Sequence, residues 1–167
     1  MTRWVLLLRA VNLGPRNKLA MADLRRVLEG LGYDEVQTYL NSGNATFTAS
    51  GTAKRHADAI EAALEKELGL TVRAVVRRTE QVRAMVDAAP PLEGYVAVNV
   101  LFDKPTPAAL KAFLETDWSP EVVRGNEEVL YIGFQDAART KLTLARIEKA
   151  LGVGATARTP ATLRKLL

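Results

Sequence analysis

The 167-residue chain contains no cysteine. Disulfides, thiolate nucleophiles, thiolate zinc sites and iron–sulfur clusters are therefore excluded, and the composition fits a reducing, cytoplasmic compartment. Only one histidine is present, His56. It stands beside Arg55 near a helix start, where exposure is expected. A zinc site would have to rest mostly on carboxylates, against the usual nitrogen and sulfur ligands. A Ser-His-Asp triad would need His56 beside Ser42, Ser50 or Ser119, none of which sits in a nucleophile elbow. There is no phosphate-binding P-loop. Gly30 and Gly32 follow no strand and lack the third glycine of a dinucleotide fingerprint. No cofactor and no metal are expected.

Long apolar runs are also missing. The longest near the start ends at Arg9, too short for a signal-peptide core and far from the roughly 18–20 residues of a membrane span. No membrane partner is expected. Aromatic residues make up only 6% of the chain. Residues 45–49, the expected third strand, lack the glycine-aromatic pattern on which RNA-recognition domains stack bases, which disfavours that mode of RNA binding.

What is present is enough to build a core: 48% of the residues are hydrophobic and 25% are charged. Charge is uneven. Residues 137–167 hold seven basic groups and one acid, Glu148, for a net +6 in a chain of formal charge +4. Such a basic end can attract phosphates or nucleic acid, or simply be a solvated helix face.

Residues 4–8 form a continuous apolar run, the pattern of a strand buried on both faces. After a polar loop broken at Gly14-Pro15, Met21, Leu24, Val27, Leu28 and Leu31 fall at helical spacing. Val36, Thr38 and Leu40 alternate as in a strand, and Asn41-Ser42-Gly43-Asn44 is a turn signal leading into a partner strand. A helix over about 52–68 and a strand over 72–76 complete a β-α-β-β-α-β order. Thr79 is placed to cap a short helix. The chain then breaks at Ala88-Ala89-Pro90-Pro91, and the same order repeats: a strand over 95–102, a helix opened by Thr106-Pro107, a hairpin around Gly125-Asn126, a helix ending at Gly152, a short strand over 155–157 and a terminal helix opened by Thr159-Pro160. The expectation is an α+β protein of two tandem ferredoxin-like subdomains, residues 1–88 with a linking helix and 92–167 with the terminal helix. The two halves share element order and not residues.

In a β-α-β-β-α-β unit the first two strands run the same way. The end of strand one and the hairpin after strand two then lie at one edge of the sheet. That edge would gather Arg9, Asn12, Arg16, Asn17 and Lys18 with Asn41, Ser42, Gly43 and Asn44, rich in donors and without a carboxylate. Such a surface suits an anionic or polar ligand, though each segment also reads as an ordinary turn. The corresponding edge of the second half carries Asp103, Lys104, Arg124 and Glu127, a mixed set that suggests internal ion pairs.

The stretch Leu7-Leu8-Arg9-Ala10-Val11-Asn12-Leu13-Gly14, with Asn17-Lys18, Met21 and Tyr39-Leu40-Asn41-Ser42-Gly43-Asn44, resembles the bacterial family catalogued as domain of unknown function 1697. The tail from Ala155 through Arg158 and Thr162 to Lys165 is similar to that family's ending, although Thr159-Pro160 stands where the family commonly has Asn-Trp. The resemblance implies two ferredoxin-like subdomains and no established activity, substrate or cofactor. It carries motif positions onto Arg9, Asn12, Lys18, Asn41, Ser42, Asn44, Arg158 and Lys165. Three functional classes stay open. One is a binding module for a nucleotide, a phosphate-like ligand or nucleic acid phosphate. Another is an enzyme working through Lys, Arg and Asn electrostatics on a phosphorylated or acyl substrate. The third is a scaffold that forms homo-oligomers through a sheet edge.

Overall fold

The computed structural model describes all residues, Met1–Leu167. Two compact units are present: Met1–Ala84 together with Arg164–Leu167, and Met85–Leu163.

The first unit runs β1 (Thr2–Leu8), α1 (Met21–Gly30), β2 (Asp34–Tyr39), β3 (Asn44–Ala49), α2 (Ala53–Leu68) and β4 (Ala74–Arg78). Its strands form one antiparallel sheet in the order β2-β3-β1-β4, the ferredoxin-like arrangement expected from the element order. The apolar run explains why β1 lies at the centre. Trp4, Leu6 and Leu8 join Val27, Leu28, Ile60 and Leu64 in the core under the helices. Val5 and Leu7, which point the other way on a pleated strand, are each 1% exposed, so β1 is buried on both faces as its sequence requires. Helix α2 starts where the Thr52 hydroxyl accepts from the Arg55 amide and stops at Gly69 in the left-handed region, the usual chemistry of the two ends.

Helix α3 (Thr79–Asp87) comes next. Its start differs from expectation. The Thr79 hydroxyl donates to the Arg3 carbonyl at 3.2 Å, and the side chain of Gln81 instead accepts from the Arg78 amide at 2.9 Å. The second unit contains β5 (Tyr95–Leu101), α4 (Pro107–Glu115), β6 (Val122–Gly125), β7 (Val129–Phe134), α5 (Leu144–Leu151) and β8 (Ala155–Arg158), and α6 (Pro160–Lys165) ends the chain. Its sheet order, β6-β7-β5-β8, repeats that of the first. Thr106 caps α4 with Pro107 in its first turn, as its sequence announces.

Two residues depart from their sequence expectation, each for its own reason. Leu40 does not continue β2: it adopts φ 58° and is 53% exposed. Pairing of β2 with β3 is regular from Gln37 as far as Tyr39 opposite Asn44, and the chain turns into the hairpin at Leu40.

The second departure is His56, which is 4% exposed rather than solvated. Its ring meets Trp4, Tyr33 and Phe47 edge-on at centroid distances of 5.1–5.4 Å, and Nδ1 shares a hydrogen bond of 2.8 Å with the Tyr33 hydroxyl. Burial lowers the imidazole pKa, the Arg55 charge lowers it further, and the Ser50 backbone acts weakly the other way. The folded state thus binds this proton less readily than the unfolded chain. Stability should be flat above the ordinary histidine value of about 6.5 and decline as pH falls through it, until the folded imidazole is itself protonated. Denaturant midpoints measured against pH should show this decline in the native protein and a shallower one in His56→Phe. Equal slopes would contradict the assignment.

Candidate functional site

The first and second strands end at one edge of the first sheet, and backbone hydrogen bonds tie their ends into place. The Leu8 amide donates to the Gly43 carbonyl at 2.9 Å, and the Arg9 amide donates to the Arg73 carbonyl at 2.9 Å. The junction between loop 9–20 and hairpin 40–44 is made by one side chain. Asn12 Nδ2 donates to the Asn41 carbonyl at 2.7 Å and to the Leu19 carbonyl at 2.8 Å, while Oδ1 accepts from the Leu19 amide at 2.9 Å. Three contacts from one amide close the loop on itself and pin it to the hairpin. Asn44 does the same inside the hairpin. It is 0% exposed, and its Nδ2 donates to the Tyr39 carbonyl at 2.8 Å and to Ser42 Oγ at 2.7 Å.

These contacts change the chemical roles of the motif. The sequence pattern counts Asn12 and Asn44 among the donors of this surface, with capping of its own loop as the other reading of Asn12; both amides are directed into the protein and hold the backbone. The groups left at the surface are the exposed Arg16, Lys18 and Asn41, with Arg9 and Ser42 half-buried. Leu13 and Leu40 stand out beside them at 80% and 53% exposure. Neither segment contains a carboxylate. Arg73, whose carbonyl holds Arg9, has Glu61 at 4.0 Å.

Backbone strain is concentrated at this edge. Ala10, Asn12, Asn17 and Leu40 have φ between 52° and 58°, four of the five non-glycine residues with positive φ. Asparagine tolerates that region; alanine and leucine lose roughly 1–2 kcal/mol there. Strain of this kind persists only where surrounding contacts impose it, and it gathers at functional loops. No signal in the sequence announces it.

The remaining motif positions, Arg158 and Lys165, lie on other elements of the chain. Arg158 belongs to the other unit, on β8 opposite Val98, and is 8% exposed. Its Nη1 donates to Thr156 Oγ1 and to the Ala157 carbonyl, both at 2.8 Å, and burial pulls its pKa down to about 10. Lys165 is an exposed residue in the last turn of α6. Thr159 caps that helix, its Oγ1 accepting from the Thr162 amide at 3.2 Å, so part of the tail pattern is capping. The second unit's hairpin edge carries charges of both signs, with Lys104 paired to Glu127 at 2.9 Å. No group of three or more His, Asp or Glu side chains is positioned to hold a metal ion. No helix is long and apolar enough to cross a membrane.

Fold and edge together define an α+β protein of two ferredoxin-like units, the first carrying a braced, cationic loop surface. The chain belongs to the family described as a protein of unknown function (DUF1697), whose model matches residues 1–131. The matched span includes the motif positions from Arg9 to Asn44 and stops before the tail that carries Arg158 and Lys165. Among solved structures the chain is similar to a conserved bacterial protein, SP0830 from Streptococcus pneumoniae, with a TM-score of 0.77 and 23% identity over 99% of this chain and 96% of that one. That likeness speaks to the fold. No curated protein matches the chain.

Proposed function

We propose that the first unit is a binding module for a small anionic or polar ligand of nucleotide or phosphate type, at the edge made by Arg9, Arg16, Lys18 and residues 41–44. The observation that carries the reading is the 2.7 Å bond from Asn12 Nδ2 to the Asn41 carbonyl. It holds the cation-bearing loop and the donor-bearing hairpin in one fixed surface, so a ligand would not have to order them on binding. Neither segment contains an acid, and Arg16 and Lys18 are exposed, so their charges can meet oxyanion oxygens, and charge-assisted bonds are the stronger kind.

The direct test is a thermal-shift series with inorganic phosphate, nucleoside monophosphates and short single-stranded oligonucleotides. A ligand at 100 times its dissociation constant adds about 2.7 kcal/mol of stability. A saturable rise in Tm is expected in the native protein. The double variant Arg16→Glu, Lys18→Glu should keep its own Tm, because both side chains are exposed, and lose most of the response. An unchanged response would reject this edge. If the oligonucleotide is the tight ligand, log K should fall with log salt by about 0.7 per phosphate contacted.

A further inference from the structure

The basic stretch of the sequence finds a different use in the second unit. A cavity of about 480 Å³ lies between the segment 116–121 after α4 and the segment 135–142 before α5, within the size range of small-molecule sites. Trp118 lines it. The indole packs on Phe113 at 5.0 Å, and its Nε1 donates to the Phe113 carbonyl at 2.7 Å. The ring is therefore fixed. The Arg146 guanidinium lies over that ring, 5.3 Å from its centroid, and one of its nitrogens reaches the Lys141 carbonyl at 3.5 Å. A guanidinium held over an aromatic face keeps N–H groups for an oxyanion and needs little ordering to use them.

The acids around the cavity are mostly committed elsewhere. Asp117 accepts from the Ser119 amide at 2.9 Å and hydroxyl at 2.6 Å. Asp136 accepts from the Ala138 amide at 3.1 Å and faces Arg139 at 3.7 Å. Neither Arg146 nor Lys141 pairs with a carboxylate. Glu121, from the other loop, is the one lining acid without such a commitment.

We propose that this cavity binds a small metabolite bearing a carboxylate or phosphate, held by Arg146 and Lys141, with its carbon frame beside Trp118. Glu121 then takes a hydroxyl or ammonium group at the ligand's other end. The site rests on the second unit's residues alone and stands independently of the first unit's edge.

The chain has two tryptophans, so each indole N–H gives its own resonance and Trp4 serves as an internal control. Nitrogen-15-labelled protein is titrated with inorganic phosphate, glycerol 3-phosphate and succinate, with potassium chloride as the ionic-strength control. The Trp118 resonance is expected to shift saturably with a phosphate or a carboxylate probe while Trp4 stays. The two probe series identify the head group. Arg146→Gln and Lys141→Gln, both at exposed positions, should each weaken binding about tenfold, the size of one lost charge-assisted bond. A Trp118 resonance unmoved by all three probes overturns the proposal. So do a chloride effect equal to theirs, or variants that titrate like the native protein.

Discussion

Asn12→Ala is expected to lower the unfolding free energy by roughly 3 kcal/mol, since it removes three hydrogen bonds worth about 1 kcal/mol each. Those bonds reach Leu19 twice and Asn41 once. Alanine must also take up φ 56°, which asparagine tolerates better. The comparison with Asn12→Gly separates these contributions. Glycine relieves the backbone but not the lost bonds, so it should recover about 1 kcal/mol at most. Urea denaturation of the three proteins measures all of this. Because the same side chain braces the loop against the hairpin, both variants should also lose the phosphate response. An Asn12→Ala protein within about 0.5 kcal/mol of native, the range of an ordinary surface change, would show that Asn12 braces nothing.

Gly43→Ala should be more damaging, by roughly 3–5 kcal/mol, because overpacking and a strained left-handed backbone combine. A Cβ at residue 43 would stand 2.8 Å from both Leu8 Cβ and Val11 Cγ2, and the backbone there has φ 82°. Leu8 is fully buried in the core, so it has no room to yield. Gly30→Ala is the matched control. It lies at the end of α1, where an added Cβ meets nothing within 4 Å, and it should be neutral or stabilising by about 0.5–1 kcal/mol. Circular dichroism melts of both variants decide the point; equal melts would contradict the close approach at Gly43.

Much of the fold was legible because it rests on patterns with a single physical meaning. The run at residues 4–8 has the pattern of a doubly buried strand, and Thr106-Pro107 announced a helix start. The shared edge was also legible, since chain direction alone brings the end of β1 beside the β2–β3 hairpin. What the side chains do there was not. Asn12 and Asn44 counted among the donors of that surface, because sequence shows which groups can donate and not which carbonyls stand opposite them. Burial of His56 was hidden for a related reason. Its flank, Arg55 and Lys54, is polar, while the rings that enclose it come from residues 4, 33 and 47. The Trp118 cavity likewise joins residues about 28 positions apart, and composition showed only that the later ones are basic.

Whether the loop and the hairpin act as one surface toward an anion is read most directly by monitoring backbone amide resonances during a titration with inorganic phosphate. The amides of residues 12–18 and 41–44 should move together and saturate with a single dissociation constant, and that constant should rise in the Arg16→Glu, Lys18→Glu variant. Movement of one segment without the other, or no saturable movement in either, would contradict a shared site at this edge.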